Sequence, residues 1–478
     1  MKDAKKQYPI NDNDSHLDSS AAAVTPAVGQ ELRELSHLAL PIVLTQLAQM
    51  SMSVADTVMA GQVSAVELAG VALGTTLYWP LMLLVSGILM ALTPTVSQLN
   101  GAGRRQDAGE PVRQAMWVAL IGGIGLMYAF RHLTGLYEWV GVDAAAIPIT
   151  EAYLRAMSYG VLPVLMYFCM RYLCEGLGWT IPAMAIAASG LLLKIPLNYW
   201  FIHGGLGVPA MGGEGCGWSS ALVFFYQMLA MLCVVRFSRI AQAGLLRRFS
   251  WPDWTQIRRL ILLGAPIGLA TAFEFGVFST MTLLIGRLGA DIVAAHSIAT
   301  NVGGLCFMIP LALGMAASIR VGFNVGAGNL VAARRSGWVA IGTSGGFSLL
   351  AAAVLIVGHE AIAGLYTQES EVFAVAAQLL LLVALYQPMD DVQGTAIGAL
   401  RGFKDTRFPF WVAVGAYWVV GFPIAWSLGF GYFESYNYGV FGYWIGLTVG
   451  LTVAAVVLVG RYAYLSRRAD RILRMAAR

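Results

Sequence analysis

The sequence predicts an all-α integral membrane protein with twelve transmembrane helices, arranged as two six-helix lobes that are related by an internal pseudo-two-fold repeat. Three observations predict this fold. The chain of 478 residues is 58% hydrophobic and only 12% charged, whereas soluble domains carry about 25% charged residues. Its apolar runs are long enough to span a bilayer. Its two halves also match each other at a fixed offset.

The internal repeat is clearest between residues 41–103 and 266–328, which align without a gap. Pro41 falls on Pro266, and the Gly-Ala-Gly at 101–103 falls on the one at 326–328. A repeat has to be recognised first, because missing one misreads the whole fold. Since the repeated unit is about half of the chain, it indicates a duplicated helical bundle and not a solenoid.

Apolar runs bounded by charged residues, Gly and Pro define twelve predicted spans, which we number in chain order. They fall at about 37–60, 68–97, 114–134, 150–174, 182–203, 217–238, 260–287, 292–323, 337–358, 371–400, 408–431 and 439–462. The predicted domains follow from these runs. They are a polar cytoplasmic N-terminal tail with no run typical of a signal peptide (1–36), an N-lobe of spans 1–6 (37–238), a cytoplasmic linker (239–259), and a C-lobe of spans 7–12 with a basic C-terminal tail (260–478).

The distribution of basic residues predicts the orientation of the spans. Most of the 30 Lys and Arg residues lie in the two tails, in the linker and in the loops after spans 2, 8 and 10. The loops on the other side carry mainly Asp and Glu. By the positive-inside rule, both termini are therefore expected to be cytoplasmic. Each lobe then has an even number of spans, so the lobes are parallel repeats around a central cavity, an arrangement typical of transporters.

Seven motifs that lie in both lobes carry a family resemblance. They are SVADTVMAG (53–61), PTVSQLNGAGR (94–104), KIPLNYWFIHG (194–204), VAAHSIATN (293–301), MIPLALGMAASIRVGFNVGAG (308–328), QPMDDVQ (387–393) and ALRGFKDT (399–406). With these motifs the chain resembles the multidrug and toxic compound extrusion (MATE) family, in particular its bacterial NorM branch. The resemblance implies a cation-coupled antiporter that exports lipophilic organic cations in exchange for protons, with Na⁺ as the other possible coupling ion, by alternating access of two lobes.

Ionisable residues inside the spans are candidates for function, because a charge at mid-membrane is costly. Glu274 lies near the middle of span 7, and Asp390 near the middle of span 10. A desolvated carboxylate can take up a proton near neutral pH, and protonation weakens its hold on a cationic drug. We expect these two acids to couple transport to protons, or to bind Na⁺ if sodium is the coupling ion, and the resemblance implies the same two acids. The alternative is a structural hydrogen bond or buried ion pair.

Four residues near these acids are candidates for a supporting role or for the substrate cavity. Asp391 follows Asp390 by 100° around the helix, so the two cannot share a face, and the sequence leaves open which of them is the functional acid. Tyr386 shares the face of Asp390, where it either supports that acid or packs in the core. His296 and Asn301, near the start of span 8, match positions of the family. A buried histidine is more often a packing residue than a proton relay.

The N-lobe contains a third candidate acid. Asp56, in the outer half of span 1, matches an N-lobe carboxylate that the resemblance implies for transport, and Asn198 matches an asparagine on span 5. Lys194 departs from the family pattern, which has Asn at that position. We expect a buried Lys194 to pair with Asp56 and to repel Na⁺, which favours protons as the coupling ion. A purely structural role for Asp56 is the alternative.

Other functions predict features that the sequence lacks. A flippase for lipid-linked oligosaccharides, from the same superfamily, would need several arginines to hold pyrophosphate, and the sequence places only Lys194 deep in a span. An enzyme would need a metal or nucleophile motif such as HExxH or GxSxG, which the chain does not contain. We expect no cofactor other than the coupling ion, no bound metal other than Na⁺, and no nucleic acid. The expected partners are small organic cations and the lipid bilayer, with a monomer in the bacterial inner membrane.

Overall fold

The computed structural model describes residues 27–133, 135, 137, 145–205, 207–430 and 438–476. This part of the chain contains twelve helices that are long and apolar enough to cross a membrane. The predicted all-α membrane fold is therefore confirmed. The predicted N-terminal tail lies outside the described residues up to position 26, as do the last two residues of the predicted C-terminal tail.

The N-lobe holds the first six spans, which we label α1 to α6. Span α2 is broken at Met90-Ala91 and continues as a short second segment. The bounds are Val28–Val63 (α1), Ala65–Leu89 with Leu92–Gly101 (α2), Gly109–His132 (α3), Ile147–Gly176 (α4), Ile181–His203 (α5) and Gly213–Phe237 (α6).

The C-lobe holds α7 to α12, followed by a short helix α13. Span α11 consists of two α-helical segments joined by a π-helical stretch. The bounds are Trp254–Ile285 (α7), Ala290–Gly326 (α8), Leu330–Tyr366 (α9), Ser370–Gly402 (α10), Arg407–Ala413 with Val414–Gly421 and Phe422–Phe430 (α11), Val440–Leu465 (α12) and Ala469–Ala476 (α13).

Helices α1 and α7 are among those that begin earlier than hydropathy predicts, because their first turns are polar. Helix α1 begins at Val28, inside the predicted tail, and Glu31 in its first turn forms an ion pair with Arg320 of α8 (2.7 Å). Helix α7 begins at Trp254, inside the predicted linker, and the Asp253 carboxylate caps it by accepting from the Thr255 backbone N–H (2.9 Å). Tertiary partners and a cap therefore extend both helices beyond their apolar runs.

Each lobe has its own hydrophobic core, but the lobes exchange the N-terminal parts of α1 and α7. Leu35 and Ile42 of α1 pack in the core of the C-lobe. Leu260 and Ile267 of α7 pack in the core of the N-lobe. The chain thus crosses between the lobes within both helices, at positions that the internal repeat makes equivalent.

Glycines let the backbones of the two lobes approach closely. Gly87 of α2 lies against Gly268 of α7, Gly101 faces the carbonyl of Phe323 in α8, and a Cβ at Gly268 would lie 2.6 Å from a backbone carbonyl of α2. The Gln98 side chain also donates to the carbonyl of Gly402 (3.0 Å). These contacts lie toward the side of the membrane that holds the linker, so they close the interface between the lobes on that side.

The linker is fastened to α3 of the N-lobe. The Glu110 carboxylate accepts from Arg113 (2.5 Å), Arg248 (3.0 Å) and Ser250 (2.9 Å). The Trp117 indole donates to the carbonyl of Ser250 (3.0 Å). Since α7 begins directly after this segment, its N-terminal end is held by the N-lobe.

Candidate functional site

The C-lobe site is built from α7 and one turn of α10. Asp390 and Gln393 are three residues apart, which places them on one face of α10 toward Glu274 of α7. The Gln393 amide nitrogen donates to Glu274 Oε1 (3.1 Å) and to Asp390 Oδ1 (3.2 Å). The structure therefore brings together Glu274 and Asp390, the two acids that the sequence paired, and joins them through a neutral amide.

The orientation of the Gln393 amide is set by Tyr417 of α11. The Tyr417 hydroxyl donates to Gln393 Oε1 (2.8 Å), and both side chains are buried. Tyr417 lies in the π-helical stretch Val414–Gly421, a local widening of the helix that is frequent at functional sites. A small cavity beside these groups is lined by Glu274, Gln393 and Tyr417, and by Arg401 from the last turn of α10.

Asp391 makes contacts different from those of Asp390. Its Oδ1 accepts from Gln387 on the same helix (2.7 Å), and its backbone carbonyl accepts from Ser344 of α9 (3.0 Å). Its Oδ2 atom is buried and has no hydrogen-bond partner in the described part of the chain. The two adjacent acids thus lie on different faces of α10, and it is Asp390 that shares an amide with Glu274.

Tyr386 and His296 both pack against Trp444 in an aromatic cluster of the C-lobe. The Tyr386 and His296 rings lie 5.7 Å and 5.6 Å from the ring of Trp444 in α12. His296 Nε2 is 2.9 Å from the Thr282 hydroxyl of α7. These contacts are those of packing residues that join α7, α8, α10 and α12.

Asn301 has a separate place on the outer part of α8. Its side-chain oxygen accepts from the hydroxyl of Tyr366 (2.8 Å), near the end of α9. The contact is exposed and joins two neighbouring helices. The structure does not bring Asn301 into the hydrogen-bonded group of Glu274, Gln393 and Asp390.

The N-lobe site is a cage of oxygen atoms around the ammonium group of Lys194. Lys194 Nζ lies 2.8 Å from Asp56 Oδ1, and it donates to the carbonyl of Cys216 (3.1 Å) and the hydroxyl of Ser219 (2.9 Å). Asn198 donates to Asp56 Oδ1 (2.7 Å). Lys194 is only 1% exposed and Asp56 only 7%. The pair that the sequence predicted is therefore present, and it is a buried one.

Two serines of α6, which sequence reasoning missed, complete this cage. The Ser219 hydroxyl donates to Asn198 Oδ1, and the Ser220 hydroxyl contacts Lys194 Nζ and donates to Asp56 Oδ2 (3.4 Å). The glycines around Cys216 make this possible, because a Cβ at Gly215 would lie 2.7 Å from the backbone of Phe201 in α5. The close approach of α6 and α5 thus positions the polar groups.

The acids of the two lobes have different partners. Asp56 pairs with a buried ammonium group, whereas Glu274 and Asp390 share the neutral amide of Gln393. Gln393 was within reach of sequence reasoning, since it ends the QPMDDVQ motif one turn after Asp390. Tyr417 was not, because nothing in the sequence around it indicates a contact with α10.

Comparisons with known proteins agree with this architecture. The family model MatE matches residues 41–200 and 266–427, one match in each lobe. The chain is 41% identical over 440 residues to multidrug resistance protein MdtK of Yersinia pseudotuberculosis, covering 92% of this chain and 96% of that protein. It is 41% identical over 443 residues to multidrug resistance protein PmpM of Pseudomonas aeruginosa, covering 92% of each.

Solved structures support the fold. The eukaryotic MATE transporter AtDTX14 superposes with a TM-score of 0.82 at 20% identity, covering 93% of this chain and 99% of that one. The Vibrio cholerae MATE transporter VcmN, in its bent form, gives the same TM-score, identity and coverage. The family-model match, the two relatives at 41% identity and the paired lobes together show that the chain belongs to the MATE family, and that it is a membrane transporter and not an enzyme.

Proposed function

We propose that the protein is a multidrug efflux antiporter that exports lipophilic organic cations in exchange for protons. The names of MdtK and PmpM as multidrug resistance proteins support drug export. The observation that carries the coupling is the Glu274–Asp390 pair, because the half-buried carboxylate of α7 and the buried carboxylate of α10 share one neutral amide. Such a pair has negative charge available for a cation, and protons can neutralise it.

Exchange follows from competition at this pair. A drug cation is held while the carboxylates are ionised, and it leaves when Glu274 or Asp390 takes up a proton. The lobes are in close contact on the linker side, which by the charge distribution is the cytoplasmic side. The described state is therefore interpreted as one in which drug and protons exchange with the opposite side, and rocking of the lobes returns the site to the cytoplasm.

The N-lobe site supports protons over sodium as the coupling ion. The Lys194 ammonium group already occupies the oxygen cage of Asp56, Cys216 and Ser219. Sodium is bound by oxygen ligands, and a second cation inside this cage would be repelled. Sodium coupling would have to use Glu274 and Asp390 instead.

Two arginines, Arg171 and Arg401, bear on the flippase alternative, but in the described part of the chain they do not form a site for pyrophosphate. Arg171 is buried five residues before the end of α4, and its Nε donates to Glu175 (2.6 Å). Arg401 lines a cavity with Glu274. Each arginine thus lies beside a carboxylate, which disfavours an anionic ligand.

The proposal is tested with purified protein in liposomes loaded with a fluorescent cationic dye. A proton gradient is imposed without sodium, and a sodium gradient is imposed without a pH step. We expect only the proton gradient to drive dye efflux, Glu274→Gln and Asp390→Asn to abolish it, and Asp391→Asn to retain it. Glu360→Gln, an exposed acid of α9, is the control. Efflux driven by sodium alone would contradict proton coupling, and undiminished efflux in Glu274→Gln would contradict the site.

A further inference from the structure

We propose that Gln393, held in one orientation by Tyr417, makes the Glu274–Asp390 pair selective for protons over metal cations. This inference rests on the proposed function of that pair. It assigns a positioning role to Tyr417 and a specificity-determining role to Gln393. Gln393 is 1% exposed and Tyr417 is 3% exposed, so the hydrogen bond between them is shielded from water. A hydrogen bond in such an environment is stronger than one in water.

A primary amide has two N–H donors on one side and one carbonyl oxygen on the other. Both contacts of the Gln393 nitrogen are with carboxylate oxygens, one of Glu274 and one of Asp390. The N–H groups therefore occupy one oxygen of each carboxylate, and a metal ion that bridges these two oxygens would have to displace them. Protonation avoids this conflict, because one oxygen of the carboxyl group can carry the proton while the other accepts the N–H bond.

A metal ion between the two carboxylates would require the amide to turn over. Sodium prefers oxygen ligands, and a reversed Gln393 would offer Oε1 as a third oxygen beside Glu274 and Asp390. Reversal removes the hydrogen bond from the Tyr417 hydroxyl to Oε1 (2.8 Å). The buried hydroxyl proton of Tyr417 would then lose this acceptor. Tyr417 thus stabilises the orientation that excludes a metal ion.

The charged and titratable groups around Gln393 come from three helices. They are Glu274 of α7, Asp390 and Arg401 of α10, and Tyr417 of α11, while α12 contributes the apolar Leu458 to the same cavity. Arg401 adds a positive charge to the same cavity, which acts alike on sodium and on a drug cation. The hydrogen bond that can be removed without changing any charge is the one from Tyr417.

Tyr417→Phe is therefore the sharpest variant, because it deletes one hydroxyl and keeps the ring. In the dye-loaded liposomes, we expect the ratio of sodium-driven to proton-driven initial rates to rise above the background ratio of the wild type, because loss of one hydrogen bond of ordinary strength favours sodium binding by about 3- to 10-fold. Gln393→Glu, which adds a carboxylate in place of the N–H donors, should raise the ratio further. Tyr78→Phe is the matched control, since Tyr78 is equally buried in the N-lobe and stacks on Phe130.

Sodium binding provides a second readout that does not depend on transport. In detergent, we expect NaCl to raise the unfolding temperature of Tyr417→Phe and Gln393→Glu above that in equimolar choline chloride, and to have no such effect on the wild type or Tyr78→Phe. Wild-type ratios and no sodium stabilisation in both variants, with Glu274→Gln inactive, would overturn this inference and leave the proposed function intact. Normal efflux in both Glu274→Gln and Asp390→Asn would overturn the proposed function and this inference with it.

Discussion

Asp56 and Asp390 are both buried acids, but their partners differ in charge. Asp56 contacts the Lys194 ammonium at 2.8 Å, whereas Asp390 contacts the neutral amide of Gln393 at 3.2 Å. Removing one member of a buried ion pair leaves an uncompensated charge, whereas removing a neutral donor does not. At the scale of residues, the N-lobe pair is therefore expected to contribute mainly to stability, and the C-lobe pair to exchange.

Lys194→Asn tests the N-lobe pair. It leaves the Asp56 carboxylate buried without its counter-charge, so we expect the protein to lose about 3–5 kcal/mol of stability and the pH profile of transport to change. Adding Asp56→Asn should restore part of the stability, because no buried charge remains. Thermal unfolding in detergent measures the first effect, and dye efflux at several pH values measures the second. An unchanged pH profile would show that Lys194 does not affect coupling.

Lys404, between α10 and α11, gives a pH dependence outside the spans. Burial, with the nearby positive charge of Arg259, lowers the pKa of Lys404 from 10.5 to about 8. Between these two values the unfolded chain binds more protons than the folded one, so stability rises with pH. We expect the unfolding temperature of the wild type to rise from pH 8 to pH 10 relative to that of Lys404→Gln. A constant difference between the two proteins over this range would contradict the shift.

At the scale of elements, α1 and α7 connect the two lobes. The N-terminal part of each packs in the core of the opposite lobe, and α7 carries Glu274 less than two turns after the close contact at Gly268. Any movement of the lobes relative to each other would therefore act on the helix that carries Glu274, the proposed coupling acid. This arrangement links the state of Glu274 to the interface between the lobes.

Gly268→Ala tests the close approach of α2 and α7. The added Cβ would lie 2.6 Å from the Leu84 carbonyl oxygen, so the helices must separate, at a cost of about 1–3 kcal/mol. We expect a lower unfolding temperature and slower dye efflux. Gly342→Ala in α9 is the control, because its Cβ would meet nothing within 4 Å. Equal behaviour of the two variants would show that the contact is not needed.

Most of the helices were predictable from hydropathy, but the side-chain contacts between them were not. The spans stand out because apolar runs of sufficient length are rare in other classes of protein. The first turns of α1 and α7 do not stand out in the sequence. Glu31 acts through an ion pair with a distant arginine, and Asp253 acts as a local cap. Similarly, Glu274 and Asp390 stand out as charges in apolar spans, whereas Gln393 and Tyr417 are neutral residues whose meeting depends on how α10 and α11 pack.

At the scale of the whole molecule, the duplicated fold has become chemically asymmetric. The lobes share one architecture, and the MatE family model matches each of them. In the described part of the chain, the Glu274–Asp390 pair of the C-lobe is bridged by a neutral amide, while Lys194 fills the oxygen cage around Asp56 in the N-lobe. We therefore propose that the exchange of drug for protons takes place in the C-lobe and that the N-lobe has a structural role in the moving interface.

In the proposed function, a drug cation and protons compete for Glu274 and Asp390. This competition can be measured by adding tetraphenylphosphonium to purified protein in weakly buffered detergent solution and following the released protons with a pH-sensitive dye. We expect the wild type to release protons in proportion to bound tetraphenylphosphonium, and the Glu274→Gln/Asp390→Asn variant to release none. Binding of tetraphenylphosphonium to the wild type without proton release, or equal release by the double variant, would contradict this competition.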